Sequence, residues 1–355
     1  MKMGLIGLPN SGKTTIFNAL TKMEANVTTY SDAKAEPNVA VVSVDDDRLI
    51  NLSDMYRPKK TTSATIEMID FPGLKEGAAK NGSFTGSFMG WIKSTDALAL
   101  VLRNFHDDLN GAPTPLRDID EIVTELLLTD LILLENRLEK IAWFQKRGQK
   151  TNTLALEEKA LQKVADYLNN NKPIRDMQLD EDEEKIIRGF QFLTKKPILV
   201  ILNSDEAVFG QNKSLITEIK SRYNIIEFAG RFEMELSRLN DEEAEIFMED
   251  MGMRESARER LTQFAYKTLG YVSFFTVGED EVRAWSISGG DTAVNAAGAI
   301  HTDLARGFIR AECFTYDELI EYGSEKRVRE NGHFRLEGKD YIVRDGDILS
   351  IRFSV

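Results

Sequence analysis

Residues 7–14 read Gly7-Leu8-Pro9-Asn10-Ser11-Gly12-Lys13-Thr14, directly after an apolar N-terminal run. The pattern G-x-x-x-x-G-K-[S/T] between a strand and a helix leaves a chain few alternatives. Small residues let main-chain N–H groups curl around phosphate oxygens, and the helix start adds its partial positive charge. In that reading Asn10, Ser11, Gly12, Lys13, Thr14 and Thr15 surround the phosphates. Lys13 reaches the β- and γ-phosphates, and the Thr14 hydroxyl ligates Mg²⁺. The motif predicts an α/β fold: a P-loop domain with a mostly parallel sheet.

Apolar segments at 3–8, 39–44, 65–69, 97–102 and 197–202 supply its strands. The last two are separated by a long excursion of helical pattern. Leu127, Leu131, Leu134, Leu138 and Ile141 recur at spacings of four and three, and Leu154, Leu161, Val164 and Leu168 repeat this after a polar break. Two antiparallel helices with a tip near Gly148 are expected, a coiled-coil-like hairpin inserted into the α/β domain. Residues 180–184 are an acidic run that suits a solvated helix start, and 242–267 read as one or two amphipathic helices. From residue 272 short strands are expected at 272–277, 282–287, 308–313, 341–343 and 348–353, with one helix over 293–306. Strands wrapped around one helix suggest a ubiquitin-like β-grasp module. The predicted division is 1–115 with 197–270 for the P-loop domain, 116–196 for the helical insertion and 271–355 for the β-grasp domain.

Asp70-Phe71-Pro72-Gly73 closes the 65–69 strand with the form D-x-x-G. There Asp70 holds Mg²⁺, through water, and the Gly73 N–H senses the γ-phosphate. Ras-type GTPases place a water-orienting glutamine next; here Leu74 stands in the switch region and cannot orient a water. Base recognition in such proteins uses N-K-x-D after a later strand. This chain reads Asn203-Ser204-Asp205-Glu206, so Asn203, Ser204 and Glu206 are the base-binding candidates, and the longer acid disturbs bidentate pairing with guanine.

With 355 residues, 42% apolar and 29% charged, the chain can bury several cores, and disorder is set aside. No apolar run approaches the roughly 20 residues that span a bilayer, and the first residues run straight into the loop, so a cytoplasmic protein without membrane partners is expected. Cys313 is the single cysteine; it excludes an internal disulfide and reads as a small buried hydrophobe. A net charge of −13 argues against wrapping free DNA, though Lys146, Arg147 and Lys150 at the hairpin tip offer a local contact for ribosomal RNA.

Together these residues resemble the YchF family, also called Obg-like ATPases, over essentially the whole chain. Glu36-Pro37-Asn38, Gly73-Leu74-Lys75-Glu76-Gly77-Ala78, Thr95-Asp96-Ala97 and Asn203-Ser204-Asp205-Glu206 are similar to the family's motifs. In the C-terminal part, Glu281-Val282-Arg283-Ala284-Trp285, Ile300-His301-Thr302-Asp303, Gly307-Phe308-Ile309-Arg310-Ala311-Glu312 and Leu336-Glu337-Gly338-Lys339-Asp340-Tyr341-Ile342-Val343 resemble its TGS domain. The resemblance implies slow hydrolysis of ATP rather than GTP with Mg²⁺, association with the ribosome, and a K⁺ ion held near the phosphates by Asn10. It also implies hydrolysis without the missing glutamine. Two rivals stay open: a GTPase of the same superclass, and a scaffold that holds nucleotide without hydrolysing it. The departures bear on the second. Lys34 replaces a switch threonine that ligates Mg²⁺ in the family, and an ammonium cannot ligate a cation. Phe71-Pro72 replaces Ile-Ala, the glycine-rich segment 81–86 is altered, and His106 is offset from a histidine some members use.

Overall fold

Backbone and side chains come from a computed structural model, which describes all residues except 24–35, 75–76, 80–86, 108–110, 251–252, 254 and 355. Lys34 and the altered 81–86 segment therefore lie outside the described residues.

One sheet has the order β2-β4-β1-β5-β6-β7, built from β1 (Lys2–Ile6), β2 (Asn38–Ser43), β4 (Thr65–Asp70), β5 (Ala97–Asn104), β6 (Ile198–Ser204) and β7 (Asn224–Phe228). β1 pairs in parallel with both β4 and β5, β5 with β6, and β6 with β7. β5 and β6 are buried along their whole length, as strands covered on both faces must be. In parallel sheets of this kind ligands gather beyond the carboxyl ends of the strands. Here those ends deliver Gly7, Asp70, Asn104 and Ser204.

After β1 the chain turns through the Gly-rich loop into α1 (Lys13–Thr21). Helix α2 (Asp47–Tyr56) and α3 (Ser87–Ser94) come next, and then α4, which runs unbroken through 32 residues, Pro115–Lys146. Pro115 occupies its first turn, where the missing N–H costs nothing. Gly148 takes a left-handed φ of 83° at the tip, and α5 (Asn152–Asn169) returns with Thr151 capping Leu154 N. Leu134 and Ile141 from α4 and Leu161, Val164 and Leu168 from α5 are buried in one core, with Leu131 and Leu138 packed against it. The predicted hairpin is therefore present. Two buried carboxylates seat the first half of α4: Glu125 accepts from Gly77 N and Ala79 N, both at 2.8 Å, and Asp130 from Leu193 N at 2.9 Å and Thr194 N at 2.7 Å.

The second sheet has the order β11-β10-β12-β8-β9-β3. Its strands are β3 (Lys60–Thr62), β8 (Tyr271–Thr276), β9 (Glu281–Ser288), β10 (Phe308–Thr315), β11 (Arg335–Glu337) and β12 (Asp347–Phe353). Contacts divide the chain into two units: residues 2–40 with 67–257, and Met1 with 41–66 and 258–355. The sequence reading gave 41–66 to the P-loop domain. They gather with the C-terminal segment because β3 pairs in parallel with β9 and Arg48 reaches Asp345 at 2.7 Å.

Several local expectations in this second unit are corrected. Residues 341–343 form no strand, only a bridge from Ile342 to Thr292, and β11 takes the edge beside β10 instead. The single helix expected over 293–306 breaks at His301, whose extended backbone lets its Nδ1 accept from Asp303 N at 3.2 Å and start a new turn. Two further helices, Tyr316–Tyr322 and Glu325–Glu330, follow β10, each with its own serine or threonine cap. Cys313 is buried, as expected, and burial pushes its thiol up to about 12.

Candidate functional site

The loop after β1 is built around residues that only its sequence permits. Asn10 and Gly12 both adopt positive φ, 61° and 83°. A Cβ on Gly12 would come within 2.1 Å of Asn203 Nδ2, and one on Gly7 within 2.5 Å of Val101 O. Both positions therefore demand glycine, and the loop lies tightly against β5 and β6. Gly12 caps α1 without a side chain, so the N–H groups of the first turn receive no side-chain acceptor there.

Lys13 is buried, and its Nζ donates to Gly7 O at 3.2 Å and Leu8 O at 3.1 Å. Burial draws its pKa down to about 8, against the opposing pull of the Asp70 charge. An ammonium held over the loop in a desolvated setting is poised for a stronger anion than two carbonyls. Beside it, Thr14 Oγ1 donates to Asp70 Oδ2 at 2.8 Å, and Asn38 Nδ2 reaches the same oxygen at 3.3 Å. Asp70 is buried at the end of β4; burial raises its pKa, with Thr14, Lys13 and Asn38 opposing. Among the described residues its Oδ1 has no hydrogen-bond partner, and neither does the buried Ser11 Oγ. A hydroxyl paired to a carboxylate whose second oxygen is orphaned is an oxygen donor set that fits a hard divalent cation.

The turn after Asp70 closes on the loop. Leu74 N donates to Gly7 O at 3.0 Å, and a Cβ on Gly73 would stand 3.0 Å from Pro9 Cα. The Leu74 side chain points into the core with Ile6 and Phe71. It therefore takes no place among the polar groups.

At the end of β6 the three base candidates separate. Asn203 is buried and spent on the frame: its Nδ2 donates to Ser11 O at 3.1 Å, and its Oδ1 accepts from Gly230 N at 3.0 Å. Ser204 Oγ is buried between Asn104 Nδ2, at 2.9 Å, and Glu227 Oε1, at 2.6 Å. Glu206 is exposed in the turn Glu206–Val208. Thr15 lies half-buried in the first turn of α1, and His106 is exposed after β5.

Sequence reasoning missed Asn38, Glu125, Asn104 and Glu227. Asn38 stands in the Glu-Pro-Asn motif, which was a signal available beforehand. The others are ordinary polar residues whose partners lie 23 to 100 positions away, and no local pattern marks them. At the hairpin tip the Arg147 guanidinium lies 3.8 Å from the centre of the half-exposed Trp143 ring, and Lys146, Arg147 and Lys150 are exposed.

Comparison with known proteins follows the same lines. The family model described as a 50S ribosome-binding GTPase matches residues 2–137. The model for the C-terminal region of YchF GTPases, described as a protein of unknown function, matches residues 271–354. The ribosome-binding ATPase YchF of Pasteurella multocida is 39% identical over 100% of this chain and 99% of its own. Its counterpart in Bacillus subtilis is 37% identical, over 99% of both. The solved YchF GTPase of Schizosaccharomyces pombe superposes with a TM-score of 0.80 at 31% identity, covering 99% of this chain and 97% of that one.

Proposed function

Because the chain belongs to the YchF family, we propose that it is a ribosome-associated P-loop ATPase of the cytoplasm that slowly hydrolyses ATP to ADP and phosphate. The observation that carries this reading is the cradle itself: a strained Gly-rich loop, a buried Lys13 over it, and the Thr14–Asp70 pair, with one carboxylate oxygen unpartnered among the described residues. Main-chain amides of residues 10–15 and Lys13 neutralise the phosphates. Thr14 and Asp70 are the residues that would hold Mg²⁺, which supplies charge neutralisation at the β- and γ-phosphates. Gly73, packed against Pro9, stands where its N–H meets the γ-phosphate. Asn10 is the residue that would hold K⁺, and equal turnover in Na⁺ and K⁺ would remove that ion from the account.

Preference for ATP is supported at the end of β6. Ser204 stands where guanine readers carry lysine, and its side chain is committed to Asn104 and Glu227. Glu206 offers a longer, exposed carboxylate at the position of the guanine-pairing aspartate. Asn203 serves the base pocket as its frame, joining the phosphate loop to the turn at Gly230. Leu74 leaves the attacking water without an orienting side chain, so the chemistry rests on positioning and charge, and turnover is slow until a partner reshapes the switch segments. The division into a P-loop domain, helical insertion and TGS domain follows the family. The hairpin tip, with Lys146, Arg147, Lys150 and the Trp143 ring, is the surface assigned to ribosomal RNA.

Phosphate release from ATP, measured with and without ribosomes beside a Lys13→Ala control, tests the proposal. Turnover above the control that rises on adding ribosomes is the expected result. Release equal to the control in both conditions leaves the nucleotide-holding scaffold as the correct reading.

A further inference from the structure

The turn that would sense the γ-phosphate is anchored at both ends, and the second anchor is the hairpin helix. At one end Leu74 N donates to Gly7 O of the phosphate loop at 3.0 Å. At the other, the Glu125 carboxylate of α4 accepts from Gly77 N through Oε1 and from Ala79 N through Oε2, each at 2.8 Å. Only residues 75 and 76 separate the two anchors. Glu125 is a buried residue, and these part-buried, charge-assisted bonds hold the main chain strongly. Four to five residues further along the same helix, Thr129 is back-bonded to Glu125 O and Asp130 grips Leu193 N and Thr194 N. The carboxylate therefore sits on a fixed base. From Glu125 the helix continues without interruption to Lys146, about 32 Å at 1.5 Å per residue.

We propose that Glu125 is a positioning residue that holds the main chain at Gly77 and Ala79 in register with the phosphate loop and ties its position to the hairpin helix. The proposal rests on the reading that Gly73 meets the γ-phosphate. A change in how that turn sits must be accommodated at Glu125 or must stretch two short bonds to its carboxylate. Conversely, a load applied to the hairpin acts on the turn through the same two bonds. The geometry asks specifically for a carboxylate: two N–H groups converge on two oxygens, and glutamine supplies one acceptor while turning an NH₂ toward the other donor.

The test compares the full-length wild type with Glu125→Ala and Glu125→Gln, titrating each with ADP and with a non-hydrolysable β,γ-imido ATP analogue in Mg²⁺. The wild type is expected to bind the analogue more tightly than ADP. In Glu125→Ala, ADP affinity stays within about threefold while the advantage of the analogue falls by about tenfold or more, a typical coupling between linked sites. Glu125→Gln falls between the two and provides the measurement should the alanine variant fold poorly. Variants that keep the wild-type ratio, or that lose both ligands equally, overturn the proposal, since equal loss marks a purely structural role. A wild type that binds neither nucleotide overturns the phosphate-site reading and the clamp together. Failure of the clamp alone is distinct, because the wild type then discriminates and the variants do so as well.

Discussion

Gly12 and Asn203 meet at the floor of the phosphate loop, and neither tolerates much change. A methyl group on Gly12 would collide with Asn203 Nδ2, and the φ of 83° already excludes comfortable L side chains. Strain of this kind costs roughly 1–3 kcal/mol. Gly12→Ala is therefore expected to weaken nucleotide binding by at least about tenfold in a fluorescence titration, with the helical content by circular dichroism retained. Wild-type affinity in that variant would mean that the loop is not held as described. Asn203→Ala acts differently: it strips the acceptor from the Gly230 N–H and the donor from Ser11 O. Stranding such buried groups costs about 1–3 kcal/mol, so its denaturation midpoint should fall even without ligand. Asp70→Asn removes the charge beside Thr14 but keeps the size. It should abolish the Mg²⁺ dependence of ATP binding while leaving Lys13 in place, and an unaltered Mg²⁺ dependence would remove Asp70 from the metal site.

Helix α4 is the element on which the most depends. Its lower half is a wall of the P-loop unit and its upper half is one arm of the hairpin. Asp130 joins the two functions, and its burial pushes its pKa up to about 6 from the ordinary 3.8. Below about pH 4 both folded and unfolded chains carry its proton. Between 4 and 6 the folded chain keeps a proton that the unfolded chain has released, so stability from this group declines as pH rises and levels off above 6. The decline is on the order of 3 kcal/mol. Asp130→Asn cannot titrate, so the stability difference between wild type and variant should shrink by that amount from pH 4 to 7 in urea denaturation. A constant difference would show that burial does not raise the Asp130 pKa. Much of this element was readable beforehand: the leucine spacing from 127 to 141 gave the apolar stripe and the polar break near Gly148 gave the tip, just as the glycine and lysine spacing at 7–14 gave the loop after β1. Glu125 and Asp130 were not readable as clamps, because a carboxylate's meaning depends on N–H groups 46 to 64 residues away. The break at His301 escaped for the opposite reason. The apolar spacing over 293–306 reads as one helix, and the break depends on one side-chain cap at the second helix start. Residues 41–66 show the same limit, since their β3 strand finds its partner more than 200 positions later, at 281–283.

Across the whole molecule, charge is distributed unevenly. The chain carries a net −13, yet residues 140–156 contain Lys140, Lys146, Arg147 and Lys150 and no carboxylate. An acidic protein meets a polyanion most favourably through a local cationic segment of this kind. Reversing Lys146, Arg147 and Lys150 to glutamate should therefore weaken cosedimentation with ribosomes by about tenfold or more and flatten its salt dependence, while basal ATP turnover stays unchanged. Ribosome binding that survives the reversal would move the contact elsewhere. Among the described residues no helix is long and apolar enough to cross a membrane. The role of the switch turn descends from the phosphate cradle. The most direct test of that cradle is an equilibrium titration of the purified chain with ATP and with GTP, each with and without Mg²⁺, beside Lys13→Ala. Mg²⁺-strengthened binding of ATP is expected, with GTP weaker by about tenfold or more, which is ~1.4 kcal/mol, and no binding by the variant. Nucleotide binding that is indifferent to Lys13, or a tenfold preference for GTP, would contradict that expectation.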